Sequence, residues 1–391
     1  MNILYLTSFV PKRNASQAGV NVTFDIIETV KNNYPTSKID VIGLINKDEF
    51  SCFEKISLEY IDEQYFIPIT KFNKIKNIIL NIEKPLICGV RFDKELITLL
   101  KNLISKKKYD YVLVDYTQNI AYIDIIKNIT PGLKVCVFEH DVSFLSFERK
   151  YKNSKNIIKR MILKAEYNRL LVYEKKMLKK YNYIYTLNHK DRNLLSEFEN
   201  VDVLVPYFNK FKTTKHPHKS FNIMFWGAMN RKENEDAVLF FINDIWPYIN
   251  KTNYDIKFFI VGSNPTDRIK NLASEDIIVT GFVEDPTVYF NYVDLSVIPL
   301  RYGAGIKIKV LESLAAGIPV ITTDIGAEGI NLENKINAYI NNNAKEFIDS
   351  INYMLANEAE LTKLSKEGLR LIEKDYDYGT KINSLNKFLN S

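Results

Sequence analysis

The sequence carries its clearest chemical signal at Arg301–Pro319, where two closely spaced glycines precede alternating lysines and a helical pattern. The stretch predicts a strand end, a glycine loop, a helix over Ile306–Ala316 and a second strand. Gly303 and Gly305 allow the backbone to turn tightly and to approach a ligand. Because the free N–H groups and the dipole of a helix N-terminus favour negative charge, the stretch predicts an anion site.

Three cations support that interpretation. Arg301, Lys307 and Lys309 stand near the predicted helix start, where positive charge costs stability unless an anion is bound. A diphosphate would account for them. Lys309 and Glu312 share a helix face, and Glu312 is placed one turn deeper, where its carboxylate could accept hydrogen bonds from ribose hydroxyls. The competing interpretation, a surface helix with a Lys–Glu pair, does not explain the two glycines or Arg301.

Several other site classes are excluded by sequence. The loop has no GxxxxGK[ST] motif, and no third glycine completes a GxGxxG motif, so P-loop and dinucleotide-binding functions lose their best evidence. Cys52, Cys88 and Cys136 are far apart, odd in number and lack metal-ligand spacing. Neither a disulfide framework nor a metal site is predicted, and a reducing cytoplasmic location fits best.

The positive charge is concentrated in one segment. The chain has a formal net charge of +6, which by itself does not indicate nucleic acid. Residues 148–180 contain 12 Lys or Arg against three Glu, so the rest of the chain is net negative by three. An apolar stripe with helical spacing runs through this segment, at Ile158, Met161, Ile162 and Ala165, and continues at Leu170, Tyr173 and Met177. It predicts a helix that packs on the first domain with its basic face in solvent, or one whose basic face, within 149–180, meets anionic lipid headgroups.

Runs rich in Val, Ile, Tyr and Phe alternate with helical patterns, which is typical of βαβ units and parallel sheets. The predicted strands are Asn2–Phe9, Lys38–Leu44, Tyr109–Asp115, Lys134–Glu139, Tyr183–Leu187, Asp202–Val205, Asn222–Trp226, Ile256–Gly262, Ile277–Thr280, Leu295–Pro299 and Pro319–Thr322. A polar stretch without apolar periodicity separates the halves. We therefore expect domains at 1–205 and 221–376, a linker at 206–220, and a last helix at 377–391 that packs back on the first domain.

The C-terminal half resembles the retaining GT-B glycosyltransferases of family 4 (group 1). The resemblance lies in four segments: Phe225–Arg231 opening the donor domain, Thr280–Pro286 facing the base, Arg301–Pro319 at phosphate and ribose, and Thr322–Gly329. It implies an α/β fold of two Rossmann-like domains that face a central cleft. It also implies a set of donor-binding residues, namely Gly19, Asn230, Arg231, Phe282, Val283, Arg301, Gly303, Ala304, Gly305, Ile306, Lys307, Lys309 and Glu312.

The resemblance extends more loosely to the first half. Ser8–Asn21, which includes Gly19, resembles the family's glycine loop that faces the donor phosphates. His140, at the end of a predicted strand, stands where these enzymes place a histidine against the transferred sugar, so His140 and Glu312 are the implied catalytic residues. The alternative for His140 is an ordinary strand-end histidine. His189 precedes a helical pattern, where a capping role is expected.

Two departures from the family pattern concern charge. Ala304 stands where many members carry the first of two glutamates, and Ala228 and Asn234 stand where many carry the arginine and lysine that bind phosphate. The substitutes available for phosphate are Arg231, Arg301, Lys307 and Lys309.

The resemblance implies transfer of a sugar, with retention, from a nucleotide-diphosphate sugar to a hydroxyl of a glycan, lipid-linked or protein acceptor. The pathways implied are surface polysaccharide, lipid-linked oligosaccharide or glycoconjugate synthesis, in the cytoplasm or at the inner face of the membrane, without cofactor or metal. Two alternatives stay open at this point: a catalytically weak subunit that binds nucleotide sugar and supports a partner enzyme, and a sugar-nucleotide epimerase.

Overall fold

The chain forms two compact units, one of residues 1–207 with 378–391 and one of residues 208–377. The computed structural model describes residues 1–13, 18–53, 60–206, 208, 210–252, 254–303 and 305–390.

The first unit is a seven-stranded parallel sheet with helices on its faces. Its strands are β1 (Asn2–Thr7), β2 (Lys38–Asn46), β3 (Glu63–Ile69), β4 (Tyr111–Asp115), β5 (Lys134–Glu139), β6 (Tyr183–Thr186) and β7 (Val201–Val203). Its helices before the linker are α1 (Ala18–Asn33), α2 (Lys47–Phe53), α3 (Lys71–Leu80), α4 (Leu86–Arg91), α5 (Lys94–Lys106), α6 (Ile123–Ile129), α7 (Ser143–Lys152), α8 (Ile157–Leu178) and α9 (His189–Leu194). The strand order is β3-β2-β1-β4-β5-β6-β7.

The second unit repeats the plan with six strands. They are β8 (Phe221–Trp226), β9 (Ile256–Val261), β10 (Ile277–Gly281), β11 (Leu295–Ile298), β12 (Val320–Thr322) and β13 (Tyr339–Ile340), in the order β10-β9-β8-β11-β12-β13. Its helices are α10 (Lys232–Phe240), α11 (Asp267–Lys270), α12 (Thr287–Phe290), α13 (Ile308–Ala315), α14 (Ala344–Leu355) and α15 (Glu358–Asp375).

The last helix, α16 (Tyr378–Leu389), belongs to the first unit. Phe388 and Leu389 are buried in the same cluster as residues of β1 and β2. The Tyr185 hydroxyl donates to the Ser384 carbonyl at 2.8 Å, and Lys387 pairs with Asp202. Apolar burial and these polar contacts together hold the helix on the sheet.

Two strands of the described structure, β3 and β13, were not predicted from the sequence. β3 is an edge strand whose sequence, EQYFIPI, contains a proline, and edge strands tolerate proline because one side of their backbone makes no ladder bonds. β13 has only two residues. The other predicted strands are present, with ends that differ by at most two residues.

In each unit the strand order reverses once, between β1 and β4 in the first and between β8 and β11 in the second. Because the strands within each sheet are parallel, their carboxyl ends lie at one edge. Ligands in open α/β sheets bind beyond those ends, at the reversal point. The loops that follow β8 and β11, and those that follow β1 and β4, are therefore where sites are expected.

Candidate functional site

In the second unit, the loop after β8 makes an unusually close backbone contact. Gly227 and Gly262 follow adjacent strands with φ values of 152° and 144°, and a Cβ at Gly262 would collide with the Gly227 carbonyl. A Cβ at Gly227 would lie 3.0 Å from both Asn234 Nδ2 and Lys309 Nζ. The absence of a side chain at Gly227 therefore lets an ammonium group reach the backbone at the end of β8.

Asn234 and Lys309 form the centre of this site. The buried Asn234 donates from Nδ2 to the Ala228 carbonyl at 2.8 Å and accepts from Lys309 Nζ. Lys309 Nζ also lies 4.6 Å from the centre of the Phe225 ring. An amide thus fixes an ammonium that stands on an aromatic face.

The electrostatics of Lys309 are strongly perturbed. Burial, followed by repulsion from Arg231, lowers the pKa of Lys309 to about 7. Lys307 also lowers this pKa, while Glu233 and Glu312 raise it. Three cations therefore act on one another beside the start of α13, as expected of a site that receives an anion.

Arg301 has a charged partner within the protein. Its guanidinium makes a two-bond ion pair with Asp236 of α10, at 2.9 and 2.5 Å, and stands over the Phe240 ring. Its charge is thus compensated by the protein, and the argument that it requires a bound anion does not hold. With Tyr302, whose hydroxyl donates to the Lys232 carbonyl at 2.8 Å, Arg301 fastens the loop after β11 to α10.

The loop itself has the predicted backbone. Gly303 and Gly305 have φ values of 144° and 71°, and α13 begins at Ile308, two residues later than predicted. The buried Lys307 directs its ammonium at the Gly305 carbonyl, with Glu328 at 3.9 Å. Ile306 is half-buried, and Ala304 lies outside the described residues.

Glu312 is buried, with 6% of its surface exposed, and its Oε2 accepts a hydrogen bond of 2.7 Å from the Trp226 indole N–H. The indole at the end of β8 thus covers this carboxylate. The contact with Trp226 orients the Glu312 carboxylate.

The remaining predicted donor residues occupy loops at the same edge of the sheet. Asn230 and Arg231 are exposed in the turn before α10, and Phe282 is exposed after β10. Val283 packs partly against the cluster that contains Met224 and Val261.

The first unit has a separate polar cluster at the ends of β4 and β5. The fully buried Asp115 accepts from Thr23 at 2.5 Å, and its Oδ1 lies 2.6 Å from His140 Nε2. The His140 ring stacks on Tyr116, with ring centres 3.9 Å apart. A Cβ at Gly19 would collide with the Tyr116 hydroxyl and would lie 3.3 Å from His140 Nδ1.

His140 Nδ1 is the chemically notable atom of this cluster. It is buried and has no hydrogen-bond partner within the part of the chain that the structure describes. Asp115 and Tyr116 were not among the predicted site residues. A signal existed for Asp115, since it ends the strand that pairs with the one preceding His140. The conformation of Tyr116, with φ of 68°, carries no sequence signal.

Comparison with known proteins identifies the family. Residues 220–357 match the family model described as glycosyl transferases group 1. The second unit of this chain carries a group 1 glycosyltransferase domain. The matched segment contains Trp226, Lys309 and Glu312, so the site around Lys309 lies within the part of the chain that matches the family. Transfer from a nucleotide-sugar donor with retention is the activity of the family.

Solved structures agree with the fold. The glycosyltransferase is similar over 100% of its length to a sucrose-phosphate synthase from Thermosynechococcus elongatus (98% of that chain, TM-score 0.67, 12% identity). It is similar to the same extent to Anabaena Alr3699/HepE in complex with UDP (100% of that chain, TM-score 0.66, 12% identity). The predicted GT-B fold is thereby confirmed. It is also 22% identical over 288 residues, 71% of this chain and 74% of the relative, to an uncharacterized 44.6 kDa protein in the cps region of Klebsiella pneumoniae.

Among the residues that the structure describes, no group of three or more His, Cys, Asp or Glu side chains is arranged to hold a metal ion. No described helix is both long enough and apolar enough to cross a bilayer.

The contact between Glu312 and Trp226 gives a first testable prediction. Glu312→Ala leaves the indole N–H without its acceptor, and such a loss costs about 1–3 kcal/mol. We expect the melting temperature to fall by about 2–12 °C and the Trp226 emission to shift, measured in a Trp246→Phe background. Glu312→Gln keeps an acceptor oxygen and should retain both properties. An unchanged melting temperature and unchanged Trp226 emission in the alanine variant would show that this hydrogen bond does not stabilise the fold.

Proposed function

We propose that the enzyme transfers a hexosyl unit from a UDP-sugar to an acceptor hydroxyl, and that Lys309 is the principal ligand of the donor diphosphate. The observation that carries the proposal is the position of Lys309 beside Gly227 and Asn234, at the reversal point of the second sheet. Asn234 stands where family members resembling this sequence carry a phosphate-binding lysine. Lys309 reaches the same place from α13 and restores the missing charge.

Arg231, Lys307 and the first N–H groups of α13 complete the proposed phosphate site. All of them are donors, and all lie on the loops after β8 and β11 or at the start of α13. As the bond from the sugar to the β-phosphate breaks, negative charge develops on the leaving diphosphate. Donors fixed before the reaction stabilise that charge without a reorganisation cost. In a retaining transfer of this kind the leaving phosphate oxygen accepts the proton of the acceptor hydroxyl.

We assign the nucleoside to neighbouring groups. The Glu312 carboxylate, oriented by Trp226, accepts from ribose hydroxyls. The backbone at Phe282 and Val283, after β10, faces the base. The similarity to HepE, which was solved with UDP, favours uridine over guanosine.

In the first unit we assign His140 to the transferred sugar and the Gly19 backbone to the donor phosphates. Asp115 positions His140 through Nε2, which leaves Nδ1 as the atom available to a sugar hydroxyl. The resemblance to a protein of a cps region supports a surface polysaccharide or its lipid-linked precursor as the acceptor.

The proposal is tested by measuring UDP and GDP release from a panel of nucleotide sugars, with and without a glycolipid and glycan extract. UDP release that depends on the extract supports it. Donor binding without turnover would instead indicate the catalytically weak subunit, and UDP release without any acceptor would indicate an epimerase. EDTA is expected to leave the rate unchanged, because Lys309, Arg231 and Lys307 are proposed to neutralise the diphosphate in place of a metal ion.

The lowered pKa of Lys309 predicts how donor affinity depends on pH. A bound diphosphate favours the charged ammonium and so raises this pKa above its value of about 7 in the free enzyme. Below pH 7 the ammonium is already charged and affinity is maximal. Above pH 7 binding takes up a proton, and affinity falls by up to about tenfold per pH unit until the pKa of the complex is passed.

Calorimetric titration with a UDP-sugar in buffers of different ionisation enthalpy measures this proton uptake directly. The diphosphate of a nucleotide sugar is a diester and does not titrate in this range. Lys309→Arg keeps the charge but does not titrate, so its affinity should not vary with pH. Equal pH dependence in the two proteins would assign the titration to another group.

A further inference from the structure

The first part of the apolar stripe in the basic segment is exposed, whereas its continuation at Leu170 and Met177 is buried. On α8, Ile157, Ile158, Met161 and Ile162 have 61–75% of their surface accessible. The buried face of this helix is made instead by Glu166, Leu170, Glu174, Met177 and Leu178. The first two turns of α8 thus present a row of large apolar side chains to solvent.

A second apolar row lies on α3 and the turn that follows it. Phe72, Ile75, Ile79, Leu80 and Ile82 are 60–76% exposed. Of the 15 large apolar side chains other than tyrosine that are exposed in the described residues, 11 fall within 72–86 and 157–172. Soluble monomers rarely expose apolar side chains in such concentration, and patches of this kind mark an interaction site.

Direct contacts join the two rows. Arg169 Nη2 donates to the carbonyls of Ile82 and Lys84, at 2.5 and 2.8 Å. The backbone N–H of Leu86 donates to the Glu166 carboxylate, one turn along α8 from Ile162. We call the surface formed by residues 71–86 and the first two turns of α8 the α3–α8 face.

The charge of this region identifies the partner. Residues 71–86 and 148–180 together contain 16 Lys or Arg against four Glu, so the rest of the chain is net negative by six. At the turn before α8, Lys150, Lys155 and Lys159 line an open cavity of about 500 Å³ together with Asn153, Ser154, Asn156 and Leu163. A second copy of the same face would bring like charges together, which disfavours self-association.

We propose that the α3–α8 face docks on an anionic lipid bilayer, with its apolar side chains at the boundary of headgroups and acyl chains and its lysines on the headgroups. The proposal does not depend on the donor chemistry. The proposed contact lies at the start of α8 rather than at its end. Near the end of α8, Lys175 and Lys180 are paired with Glu197 and Asp124.

Flotation with vesicles tests the proposal on the full-length enzyme. Binding should be weak to pure phosphatidylcholine, should rise with phosphatidylglycerol content and should fall with salt. Two groups of variants separate the contributions. Ile158→Ser, Met161→Ser and Ile162→Ser combined remove apolar contacts, and Lys155→Gln, Lys159→Gln and Lys164→Gln combined remove charge. Each group should reduce the vesicle-bound fraction on the order of tenfold at low salt.

Matched controls lie in the second unit. Ile336→Ser with Leu369→Ser, and Lys345→Gln with Lys366→Gln, change exposed residues of the same types and should leave binding unchanged. Nucleotide-sugar affinity should be equal in all these proteins, so failure here is distinguishable from failure of the proposed function. No binding of the wild type at low salt, binding that is insensitive to the serine changes, or a dimer that those changes dissociate would each overturn the proposal.

Discussion

Lys309→Met is expected to lower kcat/KM for the nucleotide-sugar donor by about 10²- to 10³-fold, the scale found when a donor aimed at developing transition-state charge is removed. Methionine keeps most of the side-chain volume, so the packing on Phe225 and the approach to Gly227 are retained. The change therefore removes charge rather than shape, and affinity for free UDP should fall with it.

The stability of the same variant distinguishes a functional lysine from a structural one. Burial lowers the pKa of Lys309, which means that the fold disfavours its charged form. A neutral side chain relieves that cost, so we expect the melting temperature to be unchanged or higher. Lys345→Met, at an exposed site on α14, is the matched control and should alter neither property. A lower melting temperature with unchanged kinetics would show that Lys309 serves only to hold Asn234.

His140→Ala is expected to lower kcat by about 10²-fold while the Kd for free UDP changes by less than about threefold. The reason is its position: His140 lies on the first unit with Asp115 and Tyr116, while the proposed nucleotide ligands lie on the second. Within the described residues, His140 Nδ1 has no hydrogen-bond partner, and we assign it to the transferred sugar. Free UDP has no such sugar, so its binding should not depend on His140. Steady-state kinetics and UDP titration measure the two effects separately.

The matched control for this prediction is His189→Ala. His189 is the exposed first residue of α9, and the cap of that helix is Asn188, whose side chain accepts from the Asp191 N–H at 2.8 Å. The predicted capping role of His189 is therefore wrong, and its loss should be silent. If His140→Ala weakened UDP and UDP-sugar binding equally, His140 would belong to the nucleotide site or to the fold.

Sequence reasoning recovered the parts of the fold that local chemistry determines. The strands at the centre of each sheet were predictable because they are short apolar runs bounded by turns. The loop at Gly303 and Gly305 was predictable because positive φ demands glycine. β3 was not, because its polar, proline-containing sequence is allowed only at a sheet edge, and edge position is a property of the whole sheet.

On α8, only part of the buried face was predictable, for a different reason. Helical spacing identifies an apolar face but not what covers it, and the face actually buried contains two glutamates. Their carboxylates are accommodated by backbone donors of other segments: Glu166 by Leu86, and Glu174 by Ser143 and Phe144 at the start of α7. Such long-range partners have no local signature.

The side-chain contacts within the site could not be predicted either, because they join residues that are far apart in the sequence. Lys309 and Glu312 were identifiable from the motif, but their partners Asn234 and Trp226 lie 75 and 86 residues away. Arg301 shows the opposite outcome, because its partner Asp236, 65 residues away, removes the reason for assigning it to phosphate.

A crystal structure of the enzyme with a UDP-sugar tests the central claim most directly. The account predicts a donor phosphate oxygen within about 3 Å of Lys309 Nζ, with the diphosphate above the start of α13 and Arg301 still paired with Asp236. A nucleotide bound away from the ends of β8 and β11, or a diphosphate held by Arg301 while Lys309 stays on Asn234, would contradict it.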